Sequence, residues 1–154
     1  MSSVLNLNSA TVERSGTTIL KNVTWNVTSD QRWVVVGPNG AGKTTLLELA
    51  ADWDTPTTGS VVVLGNNTTS EDAEWIRPRV GIASSGMAKR IPADETVLDA
   101  VVSAAYASAS RNGETYDEID IRRARRVLGE WGLAAHENQQ VGTLSEGENK
   151  RLQL

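Results

Sequence analysis

Gly37-Pro38-Asn39-Gly40-Ala41-Gly42-Lys43-Thr44 is the stretch on which the fold turns. It fits G-x-x-x-x-G-K-[ST] without a mismatch. The flanks agree with it. Trp33-Val34-Val35-Val36, just upstream, is a short unbroken apolar run that predicts a strand buried on both faces of a parallel sheet. Residues 43–51 follow as a predicted helix with Leu46, Leu47 and Ala50 on one side. Strand, glycine-rich loop and helix in that order make a phosphate cradle. Glycines let backbone N–H groups converge into a concave nest for an anion. The helix start adds its partial positive charge. Lys43 then supplies a flexible cation for the β- and γ-phosphates, and the Thr44 hydroxyl a ligand for Mg²⁺. Thr45 completes the binding stretch 37–45.

Upstream of the loop the chain reads as β-structure. Val4, Leu5 and Leu7 open a strand that runs to Val12, and Arg14-Ser15-Gly16-Thr17 is a turn. Val23, Trp25 and Val27 alternate with Thr24 and Asn26, a half-buried strand pattern that puts Trp25 in the core. Downstream, residues 60–64 form another strand behind Gly59, closed by Gly65-Asn66-Asn67. Residues 71–76 predict a turn or two of helix, and Val80-Gly81-Ile82-Ala83 a weak strand. Residues 95–107 and 117–131 are helical. The second helix carries Ile121, Ala124, Leu128 and Trp131 on one face and stops at Gly132. Its Arg122, Arg123, Arg125 and Arg126 read as a charged solvent face, with a docking patch as the alternative.

Composition narrows the class. The 154 residues suit one domain, and 39% hydrophobic content is enough for a core. A net charge of −4 argues against a dedicated nucleic-acid binder. Zero Cys rules out disulfides, thiolate metal sites and Cys nucleophiles. The start shows no signal-peptide pattern, and no apolar run approaches the length needed to span a membrane. The expectation is a cytoplasmic domain without direct membrane insertion. A GTPase would need an N-K-x-D segment, and Asn149-Lys150-Arg151-Leu152 lacks the Asp.

Leu144-Ser145-Glu146-Gly147-Glu148 is locally a capping box, with Ser145 as N-cap and Glu148 three residues on. Downstream of G-P-N-G-A-G-K-T-T, L-S-x-G-E resembles the signature motif of ABC-type ATPases, the nucleotide-binding subunits of ATP-driven transporters. Pro56-Thr57-Thr58-Gly59-Ser60-Val61 and Thr96-Val97-Leu98-Asp99-Ala100-Val101 resemble two further family segments. The resemblance implies an α/β P-loop NTPase with an N-terminal antiparallel β-subdomain and a helical subdomain. It implies ATP and Mg²⁺ as cofactors, a second ABC ATPase subunit packed head to tail, and a transmembrane permease as partners. Ser145 and the Gly147 N–H of one subunit would reach the γ-phosphate held by the other. Localisation would be cytoplasmic, on the inner face of the membrane through the permease.

The match departs from the family in three places. Where the family carries an aromatic for adenine, Arg14 stands, whose guanidinium plane can stack on a base. Where it carries a Gln that touches Mg²⁺ and senses the membrane partner, Ser85 or Ser84 stands, with Ser85 the candidate second metal ligand. The Asp-Glu strand and switch His do not occur here, so no catalytic residue is assigned and the C-terminal part of the sheet is expected to be missing. His136 lies before the signature and reads as a surface residue. The expected organisation is a β-subdomain and P-loop core over 1–84, a mostly helical subdomain over 85–145, and the start of the signature helix over 145–154. ATP hydrolysis would belong to the full-length parent. Two alternatives are a soluble ABC-type regulatory ATPase without a membrane partner and a nucleotide-binding module that does not turn over.

Overall fold

Two twelve-residue antiparallel strands, β1 (Ser3–Arg14) and β2 (Thr17–Thr28), open the chain and meet at the Ser15-Gly16 turn. The computed structural model describes residues 2–68, 73–111, 113 and 115–154, with the side chains at 73, 74, 85 and 87 outside that description. β3 (Thr58–Val63) pairs with the other side of β1, and β4 (Asn66–Asn67) pairs with β3. The antiparallel order is β2-β1-β3-β4, the N-terminal antiparallel β-subdomain that the resemblance implies.

Side-chain alternation in β1 contains a break. Leu5 and Leu7 are buried, and so are Ala10 and Val12, which have the opposite parity. A register irregularity between Leu7 and Ala10, with Ser9 at φ 50°, absorbs one extra residue. Without it the second half of β1 would present its apolar set to water. These residues join Leu20, Val61, Val63, Leu49 and Ile76 in the first core.

α1 (Lys43–Ala50) follows the phosphate loop as predicted, and Leu46 and Ala50 of the predicted face pack on the first core, but the most buried positions lie beside them. Thr45 and Leu49, one turn apart, are the buried pair, while Leu47 is 46% exposed. Helical spacing permits either stripe; the position of the β1–β2–β3 face selects this one. The predicted strand at 33–36 is not formed. Trp33, Val34 and Val36 are 55%, 84% and 83% exposed and lie outside every ladder among the described residues. A strand needs neighbours for its N–H and C=O groups, and the four strands of this sheet pair only with one another. Residues 80–83 likewise form no strand. Trp25 packs against the first core but is only half-buried, its ring edge-on to Trp33 with centroids 5.6 Å apart. Residues 69–72 lie outside the described residues; α2 (Ala73–Ile76) occupies the end of the predicted helical turn.

The chain divides into two compact units, residues 1–82 and 83–154. In the second unit, α3 (Ser85–Ala88) is short, and α4 (Val97–Ala104) and α5 (Glu118–Glu130) are the predicted helices. Thr96 caps α4 by accepting from the Asp99 N–H, and Asp117 caps α5 by accepting from Ile119 and Asp120. Val97, Ala100, Leu128, Leu133 and Val141 form the second core. Trp131 does not join it: at the C-terminal cap of α5 it is 41% exposed. Among the described residues no helix is long and apolar enough to cross a membrane.

Candidate functional site

The first candidate site is the loop from Gly37 to Gly42 and the start of α1. Gly40 and Gly42 both take left-handed backbone, φ 81° and 84°. At Gly42 glycine is required twice over. A Cβ there would stand 2.8 Å from Leu20 Cδ2 and 3.0 Å from the Ile19 carbonyl oxygen. The loop is therefore pressed against β2 at its C-terminal end, while residues 37–41 face solvent. Lys43 turns back over the loop, its Nζ donating to the carbonyls of Gly37 at 2.8 Å and Pro38 at 2.7 Å. Thr44 is exposed and Thr45 is buried, so of the two hydroxyls Thr44's is the one open to a ligand.

The N-terminus of α1 differs from those of the other long helices. Side chains cap α4, α5 and α6 (Glu146–Leu152), but no side chain caps α1, and its first turn holds no carboxylate. A helix N-terminus without a side-chain cap or first-turn carboxylate leaves its N–H groups and dipole unopposed, the arrangement that suits an anion.

Arg14 ends β1 and reaches Asp54, Nη2 to Oδ2 at 2.6 Å, with Glu48 of α1 at 3.8 Å. The hydrogen bond and charge of Asp54 raise the guanidinium's pKa further. Arg14 is thus tied to the segment that follows α1, with one edge of its half-exposed fork occupied.

The signature stretch lies in the second unit. Ser145 Oγ accepts from the Glu148 N–H at 3.3 Å, and Glu148 Oε2 accepts from the Ser145 N–H at 2.8 Å and from Ser145 Oγ at 2.7 Å. The capping box read from the sequence is present in full. Those Ser145 bonds hold the Glu148 carboxyl below its usual range. Glu146 is also lowered, by Lys150 at 2.8 Å one turn on. Leu144 packs on the second core. Gly147 has nothing within 4 Å of a Cβ position and no left-handed backbone, so the chain's own packing does not require glycine there.

His136 is not the plain surface residue expected. Half-buried, it places Nε2 3.4 Å from Glu148 Oε1. Twelve residues separate the two, and no local spacing rule marks the pair. Ser85 begins α3, but its side chain lies outside the described residues. Among the described residues no cluster of three or more His, Asp or Glu side chains could hold a metal by itself.

A family model described as ABC transporter matches residues 20–154. The chain belongs to the ABC transporter family. Among curated relatives, this ABC protein is 32% identical over 149 residues to the ATP-binding protein YlmA of Bacillus subtilis, an alignment covering 96% of this chain and 56% of the relative. It is 32% identical over 151 residues to a putative ABC transporter ATP-binding protein of Streptococcus mutans, covering 97% and 57%. The chain thus spans little more than half the length of these relatives. A solved ATP-binding cassette, a dimer in a post-hydrolysis state with ADP and Pi, superposes with a TM-score of 0.78 at 24% identity, covering 97% of this chain and 66% of that one. That likeness is one of fold, and it supports the P-loop NTPase architecture.

Proposed function

We propose that this chain is the ATP-binding part of an ABC transporter subunit, taking Mg·ATP at residues 37–45. The observation that carries the proposal is the α1 N-terminus, open, without a side-chain cap or carboxylate, beneath a loop held against β2. Its N–H groups and dipole suit the β-phosphate. Gly37, Pro38, Asn39, Gly40, Ala41 and Gly42 supply the cradle. Lys43 exchanges its bonds to the Gly37 and Pro38 carbonyls for phosphate oxygens, and Thr44 offers its exposed hydroxyl to Mg²⁺. A bound Mg²⁺ would neutralise phosphate charge and orient the terminal phosphoryl group. Thr45, buried, anchors the first turn of α1. Arg14 stacks on the base through the exposed face of its guanidinium, and Ser85 is assigned to the Mg²⁺ neighbourhood.

Leu144, Ser145, Glu146, Gly147 and Glu148 are assigned to the nucleotide of a second, head-to-tail subunit. The bare backbone at Gly147 and the pre-formed cap at Ser145 support this. The remaining partner is a permease, at which the subunit sits on the cytoplasmic side of the membrane. Hydrolysis is assigned to the complete ATPase, and the residues here bind and orient.

Titration with a fluorescent ATP analogue tests the site. Lys43→Ala removes one charge-assisted contact, worth about 1.5–3 kcal/mol, so affinity should fall roughly tenfold to a hundredfold. Equal affinity in the two chains would mean that the cradle is not the binding site.

A further inference from the structure

Both nitrogens of the His136 ring face oxygens. Nε2 lies 3.4 Å from Glu148 Oε1, and Nδ1 lies 3.1 Å from Gln139 Oε1. Nδ1 is within hydrogen-bond distance of the Gln139 amide oxygen, whereas the approach of Nε2 to Glu148 is an ion-pair contact, attractive when the ring carries a charge. In the neutral ring the ion pair with Glu148 is lost. The short 3₁₀ turn Ala134–His136 that presents the ring follows Leu133, which is 1% exposed in the second core. The other carboxylate oxygen, Glu148 Oε2, closes the capping box on Ser145.

Charged groups flank this turn on two sides. From α6 come Glu148 and Arg151, the latter donating to the Trp131 carbonyl at 3.1 Å. Glu137, next in the chain, is bound by Arg125 of α5 at 2.9 Å. Among the described residues, Glu148 is the carboxylate in ion-pair range of His136.

We propose that His136 is a positioning residue for the signature helix: its protonated ring holds the Glu148 carboxylate in the capping box, so that order at Ser145 depends on pH. The ring contributes to the depressed carboxyl of Glu148 after the larger effect of Ser145. The inference deepens the signature reading, but its test needs no nucleotide, so its failure would leave the ATP site untouched.

His136 is the single histidine of the chain, which makes it a clean NMR probe. The 154-residue chain is titrated between about pH 8 and pH 5, where imidazoles change charge. The His136 ring proton and the Ser145 and Glu148 amides are followed together. The expected result is that both amides titrate with the ring's midpoint. Protection of the Ser145 amide, corrected for intrinsic exchange, should rise about two- to fivefold on protonation, as for a part-exposed ion pair. In His136→Gln the amides should stay flat over the same range. A ring that titrates while the wild-type amides do not follow would overturn the proposal without recourse to any variant. So would amides in His136→Gln that still titrate.

Discussion

Alanine at Gly42 and at Gly40 should separate two effects that the phosphate loop combines. Both residues have left-handed backbone, φ 84° and 81°, so either substitution incurs about 1–2 kcal/mol of backbone strain. Only Gly42 is also crowded. Its new Cβ would meet Leu20 Cδ2 at 2.8 Å and the Ile19 carbonyl oxygen at 3.0 Å, whereas nothing lies within 4 Å at Gly40. Leu20 is 8% exposed and belongs to the first core, so it has little room to retreat. Overpacking of this kind adds about 1–3 kcal/mol. With a urea dependence of about 2 kcal/mol per molar, the Gly42→Ala midpoint should lie roughly 0.5–1.5 M below that of Gly40→Ala. Tryptophan fluorescence reports it well, because Trp25, Trp33, Trp53 and Trp75 all lie in the first unit. Equal midpoints for the two variants would refute the contact between the loop and β2. The phosphate cradle would then lack the support on which its geometry depends.

Three further outcomes are expected. Leu49→Ala, at a fully buried site, should cost about 2–5 kcal/mol in chemical denaturation. Leu47→Ala, at a site 46% exposed, should stay within about 0.5 kcal/mol, and the reverse order would mean that α1 buries the other stripe. Arg14→Ala should weaken binding of the fluorescent ATP analogue by about two- to fivefold, the size of an exposed cation–π contact; unchanged affinity would remove Arg14 from the base site. The Asp117 carboxyl is held below its usual range, first by the Asp120 N–H that it caps. A depressed carboxyl stabilises the folded state above its unfolded pKa, near about 4, and that contribution is lost as pH falls through the folded value. Asp117→Asn should therefore flatten the loss of α5 helicity below about pH 4, measured by circular dichroism, and lower stability at neutral pH, where the ionised cap contributes.

What the sequence determined by itself is whatever local chemistry dictates. The glycines and Lys43 are spaced along one loop, and the Ser145–Glu148 box closes over three residues, so both are written into neighbouring positions. Parts of β1 and β2 were legible, as apolar stretches over 4–12 and 23–27 on either side of the turn at 14–17, whereas the register break within β1 was not. Tertiary structure decided the rest. Residues 33–36 have the composition of a buried strand, yet strand formation is a property of pairs, and no ladder partner reaches them among the described residues. Leu49 rather than Leu47 is buried because the sheet face, not helical period, chooses the stripe. Arg14 meets Asp54 forty residues away, and His136 meets Glu148 across a turn and a loop. Such approaches depend on where two separate packing faces come to rest, which spacing along the chain does not encode.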